Sequence, residues 1–291
     1  MHVNSLLPEQ RQQLATWLAY LREMGGMDFY RAAHEDYQAS AQQEVTNSPA
    51  SAEIAGSPSP ADTIRPAPPE PPVSMTPKSA VLAPPAAIDY SSAAIPADQR
   101  IAALQAIQSE IGDCTRCPLA FEGRNKIVFG DGDPNAELLF VGEGPGADED
   151  MQGLPFVGRG GQLLNNMIAA MGLRREQVYI ANIVKCRPPK NRVPEPVEAL
   201  TCSPFLFQQI GVVRPKLIVA LGATAATYLT GSKAALSVLR GKIHDCMGTK
   251  LVVTYHPAYL LRDPRQKAEA WKDLQLAMRF LHLSPARPSQ H

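Results

Sequence analysis

Glu137-Leu138-Leu139-Phe140-Val141 runs directly into Gly142-Glu143-Gly144-Pro145-Gly146, and this junction decides the fold. A short apolar run stopped by turn residues predicts a strand buried on both faces. Three more such runs follow, at 178–184, 216–221 and 251–254, rich in Val, Ile and Leu. Stretches with helical patterning separate them, at 160–171, 196–213, 223–229 and 264–281. Strands alternating with helices build parallel sheets covered on both faces. The expected fold is therefore α/β: three layers, α/β/α, around a central, mainly parallel four-stranded sheet. Ligands of such sheets bind beyond the carboxyl ends of the strands. Glu143, Asn182 and His256 all fall at such ends, which makes them the first candidates for chemistry.

Composition bounds the rest. The chain has 291 residues, of which 45% are hydrophobic, enough for a substantial core. No apolar run reaches the roughly 18 residues of a membrane span, and no secretory signal opens the sequence, so a cytoplasmic protein is expected. The formal net charge of zero conceals an asymmetry. Residues 1–97 hold five Lys/Arg against ten Asp/Glu, whereas residues 98–291 hold 23 against 18. A moderately basic globular part suits a polyanionic partner. The predicted organisation is an N-terminal helical segment (1–37), a linker (38–96), a globular domain (97–283) and a disordered tail (284–291). The linker reading rests on Pro, Ala and Ser, with 12 of the 27 prolines between residues 41 and 98. Such a segment buries too little apolar surface to offset its chain entropy.

Five cysteines are present, and four have suggestive spacing: Cys114-x2-Cys117, then Cys186-x15-Cys202. In a reducing compartment, cysteines so placed are metal ligands more often than disulfides. A zinc ribbon prefers two short knuckles, whereas an iron–sulfur cluster accepts one Cys-x2-Cys followed by proline with remote further ligands. Spacing alone favours iron–sulfur over zinc only modestly. Cys246 stands apart and reads as a plain thiol.

Other residues carry both plain and functional readings. The glycines of 142–146 serve an ordinary turn, or let backbone amides approach a ligand. A phosphate loop is disfavoured, because no Gly-Lys-Ser/Thr follows and Asp148, Glu149 and Asp150 would repel phosphate. Phe156, between Pro155 and Gly158, is core or a stacking platform. Asn182 is a satisfied strand-end amide, or one that reads an amide or imide edge. His256, before Pro257, is a structural partner or a catalytic donor.

Together the segments Gly142-Glu143-Gly144-Pro145-Gly146-Ala147-Asp148-Glu149-Asp150, Pro155-Phe156-Val157-Gly158-Arg159, Ala181-Asn182-Ile183-Val184-Lys185-Cys186-Arg187-Pro188-Pro189 and His256-Pro257-Ala258 closely resemble the family 4 uracil-DNA glycosylases. These are the iron–sulfur members of the uracil glycosylase superfamily. The resemblance covers about residues 100–282. It implies a 4Fe–4S cluster of structural role on Cys114, Cys117, Cys186 and Cys202. It also implies hydrolysis of the N-glycosidic bond of deoxyuridine in DNA, as in base excision repair. Phe156 would then stack on the flipped uracil, Asn182 would read its O4/N3 edge, and His256 would stabilise the departing anion at O2. Leu260 and Leu261 become candidate wedges, and Lys185 and Arg262 candidate phosphate contacts. Better-known uracil glycosylases carry a water-orienting Asp where this chain has Gly144. Glu143 and the Gly144 backbone are the candidates for positioning water here, with Glu149 or its neighbours excluding the thymine methyl. Related enzymes that capture the sugar covalently use a basic loop ending in Ile-His. Leu239-Arg240-Gly241-Lys242-Ile243-His244 departs from that pattern, so covalent capture by His244 is not expected.

Two rival readings keep the fold: a DNA-binding iron–sulfur sensor without catalysis, and a zinc-dependent hydrolase. Mere binding does not require Phe156, Asn182 and His256 together. In the leader, residues 5–25 read as an amphipathic helix. Gln13-Leu14-Ala15-Thr16-Trp17 within it also loosely resembles a sliding-clamp-binding peptide, a candidate tether. A monomer working in the bacterial nucleoid is the expectation.

Overall fold

A computed structural model describes residues 94–284. Expectations for the helix at 5–25, the clamp peptide, nearly all of the linker and residues 285–291 lie outside the described residues. In chain order the elements are α1 (Arg100–Ile111), β1 (Asp131–Gly132), β2 (Leu138–Gly142), α2 (Ala147–Gln152), α3 (Arg159–Ala170) and β3 (Tyr179–Asn182). There follow α4 (Pro196–Val213), β4 (Leu217–Leu221), α5 (Ala223–Thr230), α6 (Leu236–Leu239), β5 (Ile243–Cys246), β6 (Thr249–Thr254), α7 (Pro257–Arg262) and α8 (Lys267–Phe280).

The sheet has strand order β1-β3-β2-β4-β6-β5. Its centre is the expected parallel quartet β3-β2-β4-β6. Two short antiparallel strands extend it at the edges, so the sheet has six strands rather than four. Both additions escaped the apolar-run criterion for physical reasons. Strand β1 is two residues long, and β5 (Ile-His-Asp-Cys) is an edge strand with only Cys246 buried. The Met247-Gly248 turn that joins β5 to β6 has both residues at positive φ, 49° and 88°, the backbone of a tight hairpin.

Every residue of β2 and β4 is buried, which explains their uninterrupted apolar sequences. Leu139, Val141, Ala181, Ile183, Ile218, Ala220, Leu251 and Val253 share one face and pack with α1, α4 and α5. The alternate residues Phe140, Ile180, Val219 and Val252 are equally buried. Their side of the sheet is closed by the apolar stripes of α3 (Leu164, Met167, Ile168) and α8 (Ala270, Leu274, Ala277). The result is the three-layer arrangement that two-sided burial of a parallel sheet demands. The connection from β2 leads to β3 on one side, and that from β4 leads to β6 on the other. A crevice therefore opens beyond the carboxyl ends of β2 and β4, where parallel sheets bind ligands.

Candidate active site

A cavity of about 610 Å³ occupies that crevice. Its walls include Glu143 and Gly144 after β2, Phe156, Asn182 at the end of β3, Gly222 and Thr224 after β4, and His256 and Arg262 around α7. The four residues expected to carry chemistry, Glu143, Phe156, Asn182 and His256, thus share one pocket although more than 110 positions separate the first from the last.

Asn182 is 1% exposed, and its Oδ1 has no hydrogen-bond partner. Leaving a buried acceptor unmade costs about 1–3 kcal/mol, so such an atom facing a pocket marks a place for a ligand donor. Gly142 makes room for this arrangement. A Cβ there would lie 2.4 Å from Asn182 Oδ1 and 2.5 Å from the Phe156 ring. Phe156 itself sits at φ 53°, 6% exposed. Arg175 clamps that strained turn, donating to the Pro155 carbonyl at 2.6 Å and the Phe156 carbonyl at 3.1 Å. Glu149 closes the loop from the other side. Its carboxylate accepts the Gly146, Val157 and Gly158 amides at 2.9–3.0 Å, so it shapes the wall beside Phe156.

His256 caps the N-terminus of α7. Its Nδ1 accepts the Ala258 amide at 3.1 Å, which assigns the ring proton to Nε2. The ring lies 5.6 Å from that of Phe156, centroid to centroid, with 33° between the planes. Burial lowers its pKa to about 4, with Arg262 adding to the shift and Glu149 opposing it. At neutral pH the imidazole is uncharged and offers one N–H to the pocket. In the same pocket, Thr224 donates its hydroxyl hydrogen to Glu143 Oε2. Thr224 was missed from sequence, although its place two residues past Gly222 at a strand's carboxyl end was the available signal.

Two expectations need correction. Lys185 is 1% exposed, with Nζ on the Asn182 carbonyl at 3.1 Å and Gln209 Oε1 at 2.6 Å. It faces the interior and is not a phosphate contact. Leu260 is also 1% exposed, its side chain committed to the core, which leaves the partly exposed Leu261 as the wedge candidate. Leu261 and Arg262 remain accessible at the end of α7. His244 is absent from the pocket lining, and its Nε2 lies 2.6 Å from the Leu239 carbonyl. Covalent capture by this residue finds no support there.

The four spaced cysteines line one small cavity together with Ile111, Ile127 and Phe205. Burial raises the thiol pKa of Cys117 and Cys186, and that of Cys202 to about 11. Yet donors point at the sulfurs: Arg124 to Cys186 at 3.2 Å, Arg116 to Cys114 at 3.4 Å and the Lys185 amide to Cys202 at 3.3 Å. N–H donors around buried sulfur suit metal-bound thiolates. Among the described residues no three potential ligands converge on a single ion. Four sulfurs distributed around a cavity fit a multinuclear centre, whose ligands sit on different metal atoms.

Comparison with known proteins agrees with this geometry. Residues 129–275 match the family described as the uracil DNA glycosylase superfamily. A type-4 uracil-DNA glycosylase of Thermotoga maritima is 43% identical over 182 residues, 61% of this chain and 94% of that protein. Those of Pyrobaculum aerophilum and Archaeoglobus fulgidus are 42% and 41% identical, over 60% and 59% of this chain and 92% and 90% of theirs. The match over residues 129–275 places the chain in the uracil DNA glycosylase superfamily. Within it, the chain belongs to the type-4 uracil-DNA glycosylases.

Proposed function

We propose that this protein removes uracil from DNA by hydrolysing the N-glycosidic bond of deoxyuridine, the first step of base excision repair. One observation supports the substrate above others: Asn182 lines a pocket walled by Phe156, and its buried Oδ1 has no hydrogen-bond partner. Uracil offers N3–H to that oxygen and O4 to the amide N–H₂. Cytosine reverses both polarities, and a reversed pair buried here costs about 1–3 kcal/mol per unmade bond.

A base inside a duplex is unreachable, so the nucleotide leaves the stack at a cost of roughly a few kcal/mol. Leu261 enters the vacated space and Arg262 holds a flanking phosphate. Phe156 stacks on the extruded ring. As the bond from C1′ to N1 breaks, its electron pair stays on uracil and spreads to O2. His256 Nε2–H donates to that oxygen, a preorganised contact that strengthens as charge develops. A water adds its oxygen to C1′ and gives up one proton, which balances the charge of the departing uracil anion. Glu143, with one oxygen held by Thr224, orients this water with the Gly144 backbone. The products are free uracil and an abasic sugar. Glu149 acts through the loop wall it braces, which lies where a 5-methyl group would press.

The cysteine cavity is read as the seat of a 4Fe–4S cluster on Cys114, Cys117, Cys186 and Cys202. Bound there, a cluster would supply a covalent staple joining the segment after α1 to Cys186 in the loop before α4 and to Cys202 within α4, and the hydrolytic residues lie elsewhere. Among the described residues no helix is long and apolar enough to cross a membrane. Incubation with an oligonucleotide carrying one uracil tests the proposal. Alkali-sensitive cleavage at that position is expected, with none at cytosine. An intact uracil strand bound without cleavage would favour a non-catalytic sensor instead.

A further inference from the structure

Lys185 is the most deeply buried cation of the site region, and the reaction described above does not use it. Both of its hydrogen-bond partners are neutral oxygens: the Asn182 carbonyl at 3.1 Å and Gln209 Oε1 at 2.6 Å. Its Nζ lies 6.0 Å from the centre of the Phe129 ring. An ammonium taken from water into such surroundings is costly, and its retention calls for a specific role. Its backbone supplies the other half of the observation. The Lys185 amide donates to Cys202 Sγ at 3.3 Å, and the next residue is Cys186.

The need for the ammonium follows from the sheet. The Ile183 amide bonds the Gly142 carbonyl on β2, so the Asn182 carbonyl faces the opposite side, toward β1. Pairing with β1 ends at Ile180, two residues earlier. The Lys185 ammonium takes the place of the missing ladder donor. Gln209 fixes the ammonium in turn, since its Nε2 donates to the Phe129 carbonyl and Tyr179 Oη, each at 3.1 Å.

We infer that Lys185 is a positioning residue that locks Asn182 into its base-reading geometry and ties it to the cysteine centre. The inference rests on Asn182 being the uracil-reading residue. The centre then governs recognition through one residue, with its backbone on a cysteine sulfur and its side chain on the strand end. Removing the metal loosens Cys186 and Cys202, and Lys185 and Asn182 with them.

The test uses full-length, metal-loaded protein, with free uracil and oligonucleotides bearing deoxyuridine or deoxycytidine as probes. Lys185→Met keeps the length and apolar stem of the side chain. It is expected to retain the absorbance of the centre while binding free uracil about tenfold more weakly, the loss of roughly one buried hydrogen bond. Preference for deoxyuridine over deoxycytidine is expected to fall with it. A merely structural lysine would lower the melting temperature and leave uracil affinity and base preference unchanged, which overturns the inference. If the variant purifies without the centre, wild-type protein stripped of iron takes its place. Weaker uracil binding after stripping supports the tie, and undiminished binding overturns it. Wild-type protein that binds uracil but fails to cleave the strand would count against the catalytic reading and leave this one standing.

Discussion

His256 reaches the pocket because a histidine also makes a good helix cap when its Nδ1 accepts the first free amide. That bond with Ala258 fixes the tautomer, and burial keeps the ring neutral with a pKa of about 4. Two variants and the wild-type pH profile test this role. If leaving-group stabilisation carries most of the rate, as the proposed mechanism has it, His256→Ala should reduce single-turnover cleavage roughly a hundred- to thousandfold, the range of a lost oxyanion donor. Glu143→Ala should cost less, and the opposite ranking would refute the mechanism. The wild-type rate should also show no step between pH 6 and 7, the usual histidine range of about 6.5. Stability behaves differently. The folded-state pKa lies below the unfolded value, so the unfolded chain binds the extra proton between roughly pH 6.5 and 4. His256 thus weakens the fold as pH falls through that window and has no such effect above it. The residue types of Asn182 and His256, and their places at strand ends, were legible in sequence. The partners that hold the neighbouring residues, Thr224 on Glu143, Arg175 on the Phe156 carbonyl and Gln209 on Lys185, were not, since each lies on a distant element and carries no local signature.

At the level of elements, the site depends on how closely α3 approaches the loop before it. Gly161 sits in the first turn of α3, and a Cβ there would fall 1.9 Å from the Phe156 carbonyl oxygen. Gly161→Ala should therefore push the Phe156 turn outward, destabilising the protein by about 1–3 kcal/mol and weakening uracil binding. Denaturant melts and a uracil titration check both effects, and a variant with unchanged binding would show that the turn moves independently of the helix. The central strands were legible because two-sided burial leaves them wholly apolar, as in Leu217–Leu221. Strand β5 was not, because an edge strand with polar residues on its outer face resembles a loop. Lys185 misled for the same statistical reason, as lysines are seldom fully buried.

For the molecule as a whole, the cysteine cavity joins segments that the sheet does not connect. Cys114 and Cys117 follow α1, whereas Cys186 and Cys202 flank the loop leading into α4, where Arg192 holds Glu198 at 2.7 and 2.8 Å and Glu122 at 3.0 Å. Protein purified anaerobically should be brown, absorb at about 400 nm and lose that absorbance on Cys202→Ala. A colourless preparation containing zinc would redirect the assignment of the centre. The spacing of the cysteines was readable, but the type of centre was not, since spacing carries no information on donors such as Arg124. The dispersal of the pocket has a kinetic consequence. Its walls come from the ends of β2, β3, β4 and β6, so the complete binding site exists only when all four strands are paired. Contacts this distant in sequence close late in folding. A chain in which β6 has not docked lacks His256 at the site, and its affinity for uracil should fall below that of the complete fold.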